Sequence, residues 1–250
     1  MVALGVRMPR DMEYLRECFR ACRDAQTFRD LQVAAKAFYG STHVVMASYF
    51  HYPPVGAHDF DGQIRVGEFG YPDAWRKTYL EEKLYLSDPL ARRAASFTRP
   101  YFWSEVPALP NLTEDELEYI KRVSALNLGE GLGIPLFGPA GRNGYAALGF
   151  GNNGRPPPDQ ILELQAGAQM GHLAYCRLLL RDLPNGTNLS TREREILRWV
   201  ARGRTNSQIA EVLHLSRNTV ETYIRRCFEK LDVNDRVSAA LRGIALGMVD

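Results

Sequence analysis

Cysteine is scarce in this chain, with four in 250 residues, and Cys18, Cys22, Cys176 and Cys227 lack the spacing of a metal knuckle or a redox pair. Cys18 and Cys22 stand at i and i+4 of an amphipathic pattern, where reduced thiols belong to a core, so a disulfide-stapled scaffold is not indicated. The five histidines, His43, His51, His58, His172 and His214, are scattered without ligand spacing, which argues against a metal cage, and no Gly-x-Ser-x-Gly announces a hydrolase nucleophile. No run of 18 apolar residues and no charged-then-apolar leader occurs, so neither a membrane span nor secretion is expected and the expected compartment is the cytoplasm. Charge of one sign is lacking too, since 31 basic residues face 29 acidic ones. Repeats and low-complexity tracts are absent. The length suits two modest domains of about 100–200 residues or less better than one.

The pattern is densest at the C-terminal end. Ser190-Thr191-Arg192-Glu193 is a capping box that opens a helix with Ile196, Leu197, Val200 and Ala201 on one face, and Gly203 supplies the left-handed residue that ends it. Thr205-Asn206-Ser207-Gln208 repeats the capping logic for a short second helix carrying Ile209, Ala210 and Leu213, with a turn at His214-Leu215. Ser216 caps a third, in which Val220, Ile224, Cys227, Phe228 and Leu231 point inward. Short helices joined by such tight turns make a helix-turn-helix. The outer face of the third helix holds Arg217, Asn218, Thr219, Glu221, Thr222, Arg225 and Arg226, the expected DNA-binding set. Guanidinium forks suit guanine edges or phosphates, and amides and hydroxyls suit base edges or phosphates. Glu221 can accept from a cytosine amine or pair with Arg225 at i+4. Residues 187–250 carry three more basic than acidic groups, whereas residues 1–186 carry one fewer.

Two expected domains follow, residues 1–181 and 190–250, joined at 182–189 by a linker rich in turn formers. In the first, helices are expected at 9–25, 27–39, 71–83, 89–97, from the capping box at Thr113 to near Gly129, and over 158–181. Strands are expected at 42–52, 64–69, 133–137 and 145–151. This order predicts an α/β domain with an antiparallel sheet between helix layers, joined to an all-α helix-turn-helix domain. Gly129-x-Gly131-x-Gly133 precedes a strand and no Lys-Ser or Lys-Thr follows it, so it does not read as a phosphate cradle, and Gly138 to Gly144 reads as a hairpin turn.

One constellation stands out. Tyr71, Trp75 and Tyr79 recur every four residues, Asp88-Pro89 starts the next helix, and Trp103 follows, so four aromatics and a carboxylate can line one concave surface. Spacing alone equally allows an aromatic core stripe with Asp88 as a plain N-cap.

Two stretches resemble known families. Leu189 to Leu197, Gly203, Ile209-Ala210 and Ser216 to Thr222 resemble the DNA-binding domain of LuxR-type regulators, which also ends many response regulators. Trp75, Tyr79, Asp88, Pro89, Trp103 and Gly131 resemble the signature of acyl-homoserine-lactone-binding domains in LuxR-type quorum-sensing receptors. The resemblance implies that the Trp75 indole donates to a lactone carbonyl, Asp88 accepts from the ligand amide, Tyr79 donates to the amide carbonyl, Tyr71 is a second polar aromatic and Trp103 packs on the lactone ring. It further implies a homodimer on an inverted repeat of double-stranded DNA, with the final helix, Arg236 to Met248, as a dimer contact and RNA polymerase as a possible partner. No catalysis, metal or cofactor beyond the ligand is implied. Many family members carry a Ser or Thr where Ala147 stands, and Tyr145 is bulkier than the residue common in receptors of long acyl chains, so a short, branched or aromatic acyl group is expected. The alternatives are an orphan regulator answering a non-lactone small molecule and, further off, a lactone-processing enzyme. A phospho-receiver domain lacks its acidic cluster here.

Overall fold

The structure is a computed structural model that describes residues 13–59, 65–182 and 188–249. The chain divides into two compact units. The first comprises Met1–Tyr52, Ile64–Gly138 and Asn143–Leu178; the second comprises Leu179–Asp250 with two short segments, Pro53–Gln63 and Pro139–Arg142. The one-cut division expected from sequence misses those two segments. Inside the second unit the fully buried Arg142 pairs with Asp59 at 2.9 Å and donates to the Ala245 carbonyl at 2.7 Å.

In the first unit α1 (Glu13–Asp24) and α2 (Phe28–Gly40) precede β1 (Met46–Tyr52) and β2 (Arg65–Phe69). Then come α3 (Asp73–Glu81), α4 (Pro89–Arg92), β3 (Tyr101–Phe102), α5 (Glu114–Ser124), β4 (Glu130–Leu136), β5 (Asn143–Gly151) and α6 (Pro158–Asp182), of which the residues up to Leu178 belong to this unit. The five strands form one antiparallel sheet in the order β2-β1-β5-β4-β3. Because side chains alternate across a strand, the sheet has two apolar faces and needs cover on both. On one face Ala47, Ile134, Ala146 and Leu148 pack with Leu15 and Cys18 of α1, Phe38 of α2 and Leu164 of α6. On the other, Phe50, Tyr145 and Ala147 pack with Tyr79, Leu90, Tyr101 and Tyr119. The α/β/α layering expected from element order is what forms.

Differences from the sequence reading have local causes. The helix expected at 89–97 stops at Arg92, where Arg93 leaves helical geometry at φ −98° and ψ 1°; a separate single turn covers Ala94–Ser96. The helix expected to end near Gly129 ends at Ser124, and Asn127 and Gly129 then take left-handed φ of 50° and 77°. β4 begins at Glu130, three residues earlier than expected, because Gly131 and Gly133 are strand residues under aromatic rings. The two-residue β3 and the short helical turns Leu84–Leu86 and Trp103–Ala108 give no periodic signal and were not expected. The start of the helix expected at 9–25, and residues 183–187 of the linker, lie outside the described residues.

In the second unit α7 (Thr191–Ala201), α8 (Asn206–Leu213), α9 (Arg217–Leu231) and α10 (Arg236–Ala245) pack around Ile196, Leu197, Ile209, Val220, Ile224, Cys227, Leu231 and Ala239. Both capping boxes form, Ser190 with Glu193 and Thr205 with Gln208. The turn between α8 and α9 uses His214 at φ 52°.

Candidate ligand cavity and DNA-reading helix

The helical face of the sheet that carries Tyr79 and Asp88 encloses a cavity of about 50 Å³. Tyr71, Trp75, Tyr79, Asp88, Trp103 and Ala147 all line it, so six of the seven sequence candidates converge. The seventh, Tyr145, is fully buried just behind, its ring 5.8 Å from that of Phe50, which does line the cavity. Tyr71 reaches it from the turn before α3 rather than from the helix itself.

Asp88 does two jobs. Its Oδ1 accepts from the Leu90 and Ala91 amides at 2.9 and 3.4 Å, capping α4 ahead of Pro89, while its Oδ2 accepts from the Tyr79 hydroxyl at 2.8 Å. The N-cap reading and the cavity reading thus hold together. Tyr119 of α5 also donates to this carboxylate. Burial pushes the Asp88 carboxyl up to about 6, against the four hydrogen bonds that favour its charged form. Burial and the same carboxylate push the Tyr79 and Tyr119 hydroxyls well above the usual phenol range, so both stay donors.

Glycines make the wall. A Cβ on Gly131 would lie 2.3 Å from the Trp103 ring, and one on Gly133 would lie 2.5 Å from Tyr101. The sequence signal at these glycines is therefore ring-to-backbone approach. The buried Trp103 indole N–H has no acceptor among the described residues. Tyr101 donates to the Leu90 carbonyl at 2.6 Å, which fixes β3 against α4. Behind the cavity Arg93 grips Glu116 with two bonds of 3.0 and 2.6 Å and donates to the carbonyls of Pro110 and Asn111. The guanidinium holds the Glu116 carboxyl down at about 2.

Sequence reasoning missed Ser48 and Tyr119. Ser48 lies directly opposite Ala147 in the β1–β5 register, lines the cavity and hydrogen-bonds Tyr71. A hydroxyl absent at Ala147 is thus supplied by the neighbouring strand, and only the register reveals it. Tyr119 sits three residues after the buried Glu116, a spacing that could have placed it on the inner face of α5.

A larger cavity, about 370 Å³, opens on the opposite face of the sheet among Leu31, Phe38, Ala47, Tyr49, Gly167 and Tyr175. Size favours it, but the smaller cavity holds the convergent donors, the buried carboxylate and the aromatic walls that orient a polar ligand, and chemistry decides for the smaller one.

On α9, Arg217, Asn218, Glu221, Arg225 and Arg226 are exposed and Thr219 and Thr222 are half-buried, so the seven DNA candidates share the outer side. Thr219 and Thr222 are partly engaged at home: Thr222 donates to the Asn218 carbonyl at 2.9 Å and the Thr219 hydroxyl lies 2.7 Å from that of Ser216. Glu193, the last residue of the first capping box, is buried; it caps the Ser190 amide at 2.7 Å and meets Lys230 of α9 at 2.7 Å, tying the first helix to the third. α10 turns Ala239, Gly243 and Ala245 inward and leaves Val237, Leu241 and Ile244 exposed.

Residues 25–175 match the model of the autoinducer binding domain, and residues 187–242 match that of the luxR family of bacterial regulatory proteins. An HTH-type transcriptional regulator of Sinorhizobium fredii, y4qH, is 31% identical over 72% of this chain, and the match spans 56% of that protein, a little over half its length. The transcriptional activator AnoR of Acinetobacter nosocomialis is 26% identical over 72% of this chain and 76% of its own. In fold, crystalline SdiA of Escherichia coli superposes with a TM-score of 0.72 at 21% identity, covering 95% of this chain and 98% of that one. SdiA in complex with octanoyl-rac-glycerol matches with the same TM-score and identity over 96% and 97%. No described helix is long and apolar enough to cross a membrane.

Proposed function

The chain belongs to the luxR family of bacterial regulatory proteins and carries its autoinducer-binding domain, and from that premise we propose that its ligand is an N-acyl-homoserine lactone and that it reads an inverted repeat as a homodimer. The observation that carries the ligand reading is Asp88: a buried carboxylate, ringed by Tyr79 and Tyr119, in a cavity walled by Trp75 and Trp103.

The geometry supports a donor exchange. The Tyr79 O–H donates to Asp88, and one hydroxyl proton cannot serve two acceptors. A ligand amide N–H taking its place on Asp88 releases Tyr79 to donate to the amide carbonyl, so no buried group is left unpaired, a lapse that costs roughly 1–3 kcal/mol. Trp75, half-buried on α3, is suited to the lactone carbonyl, and Ser48 supplies the hydroxyl that Ala147 lacks.

The cavity is far below the usual range of roughly 300–1,000 Å³ for small-molecule sites, so ligand entry requires the half-buried Tyr71 and Trp75 to move outward. With Tyr145 and Phe50 closing the sheet side, the reading favours a short, branched or aromatic acyl group. Acyl burial contributes roughly 0.8 kcal/mol per methylene, so pocket length selects the signal. Dimerisation is supported by the exposed Val237, Leu241 and Ile244 of α10, and contact with RNA polymerase would follow DNA binding.

The testing experiment is the thermal midpoint of the full chain with a panel of straight-chain, branched and aryl lactones plus an acyl glycerol, repeated after Asp88→Ala and Trp75→Phe. Shifts of several degrees with short or aryl lactones, lost in both variants, are expected. Tightest binding to a long straight chain overturns the acyl-group reading. A shift with the acyl glycerol and none with any lactone replaces the lactone with another amphiphile.

A further inference from the structure

We propose that the sensor unit holds a second, unrelated site: a centre with three protein ligands for a thiophilic d10 metal ion, Zn²⁺ or Cu⁺, built from His51, His172 and Cys176.

The histidines and cysteines that look scattered in sequence do not stay so. His172 and Cys176 stand at i and i+4 on α6 and therefore share one helix face. His51 lies on β1, on the sheet face turned towards α6, because its neighbours Phe50 and Tyr52 pack on the opposite face. One ring nitrogen of each histidine and the Cys176 sulfur all come within 4.8 Å of one another, and the three residues are buried to 0%, 1% and 0% exposure. The His172 Nε2 is 3.7 Å from the Cys176 Sγ. With the other two edges no longer than 4.8 Å, the point equidistant from the three atoms lies up to about 2.6 Å from each, close to zinc–nitrogen and zinc–sulfur bonds of about 2.0–2.3 Å. Contraction of the longer edges by roughly an ångström completes the site.

The surroundings suit a metal. The Tyr49 hydroxyl lies 2.8 Å from the His172 Nδ1, the ring nitrogen turned away from the thiol. When that hydroxyl accepts from Nδ1–H, the Nε2 lone pair faces Cys176, the arrangement by which an outer partner orients a metal-binding imidazole. The larger cavity, which His172, Tyr49 and Tyr175 help to line, adjoins the cluster and offers an approach and room for a water as fourth ligand of Zn²⁺. Two imidazoles and one thiolate are a soft-to-borderline donor set, which selects Zn²⁺ or Cu⁺ over Mg²⁺ or Ca²⁺. Binding transfers the thiol proton to solvent; no electron is exchanged. The ion would pin α6 to the strand whose other face, through Phe50, borders the ligand cavity.

The test uses the full chain, freed of metal with a chelator and kept reduced. It is titrated with Zn²⁺ against a chromophoric zinc chelator, with Cu⁺ against a cuprous chelator, and with Co²⁺ for the near-ultraviolet thiolate-to-metal absorption. One equivalent of Zn²⁺ or Cu⁺ should bind, and the chelator that loses the competition identifies which. Binding should fall at least tenfold in Cys176→Ser and in His172→Gln and persist in Cys18→Ser, whose thiol lies elsewhere in the core. Circular dichroism confirms that each variant is folded. Should folded wild-type protein bind neither ion stoichiometrically, or should Cys18→Ser abolish binding while Cys176→Ser retains it, the site is refuted.

Discussion

Asp88 carries a pH signature set by its burial. Its folded value of about 6 lies above its ordinary value of 3.8, so the folded state binds the proton more tightly than the unfolded state. The stability this contributes is full below about pH 4 and is lost as pH rises through 6, an effect of about 3 kcal/mol at most. Glu116 runs the other way: held at about 2, its contribution is full above pH 4.5 and is lost only as pH falls towards 2. Between pH 4.5 and 6.5 Asp88 lowers stability as pH rises while His58, whose proton affinity burial reduces, raises it, so the slope of the denaturant midpoint against pH should be more positive in Asp88→Asn than in wild type. A bound lactone amide favours the charged carboxylate, so binding at pH 6 should release protons, measurable by calorimetry in buffers of different ionisation enthalpy; proton uptake would contradict the Asp88–amide contact. Arg93→Met removes the nearer of the two guanidiniums on the Glu116 carboxylate, leaving Arg92 at 3.8 Å, and should lower the urea midpoint, with partial recovery on adding Glu116→Gln. Asp88, Tyr79 and the tryptophans were legible in the sequence through a family signature, since their spacing alone fitted an aromatic core stripe equally well. Ser48 and Tyr119 were not, because the first depends on strand register and the second on how α5 is rolled onto the sheet.

Among the elements, those with a chemical start signal were read nearly to the residue. Thr113, Ser190, Thr205 and Ser216 each cap the helix expected of them. The start of β4 was misread, because Glu130 and Gly131 resemble loop residues until the Trp103 ring is laid on Gly131. The contrast with α6 is testable. Gly131→Ala puts a methyl 2.3 Å from the Trp103 ring, whereas a methyl at Gly171 meets nothing within 4 Å. Gly131→Ala should therefore expel Trp103, lower the thermal midpoint and weaken lactone binding at least tenfold. Gly171→Ala should stabilise the helix by up to about 1 kcal/mol and leave the ligand affinity unchanged. Equal effects from both would mean that Trp103 does not form the cavity wall.

At the scale of the molecule, the two functions rest on separate cores: Tyr79, Tyr101 and Tyr145 with their neighbours in the first unit, and Ile196, Val220 and Leu231 with theirs in the second. The tryptophans divide accordingly, Trp75 and Trp103 lining the ligand cavity and Trp199 packing in the helix-turn-helix. In a Trp199→Phe variant, lactone should change the remaining indole fluorescence, and in wild type DNA should perturb Trp199 without it. The DNA contact is equally separable. Arg225 and Arg226 are exposed on α9 of the second unit and are not among the residues that line that cavity, so their loss removes positive charge without changing the lactone set. If each guanidinium neutralises one phosphate, Arg225→Ala and Arg226→Ala should each reduce the salt dependence of DNA affinity by about one unit of slope and weaken all sequences alike. If either reads a guanine edge instead, its loss should cost about 1–3 kcal/mol at one base position and leave the other positions discriminated. In both cases the lactone-induced thermal shift should persist in full. A variant that lost the shift together with DNA binding would mean that the two activities share one cooperative core, contrary to the separation argued from their side chains.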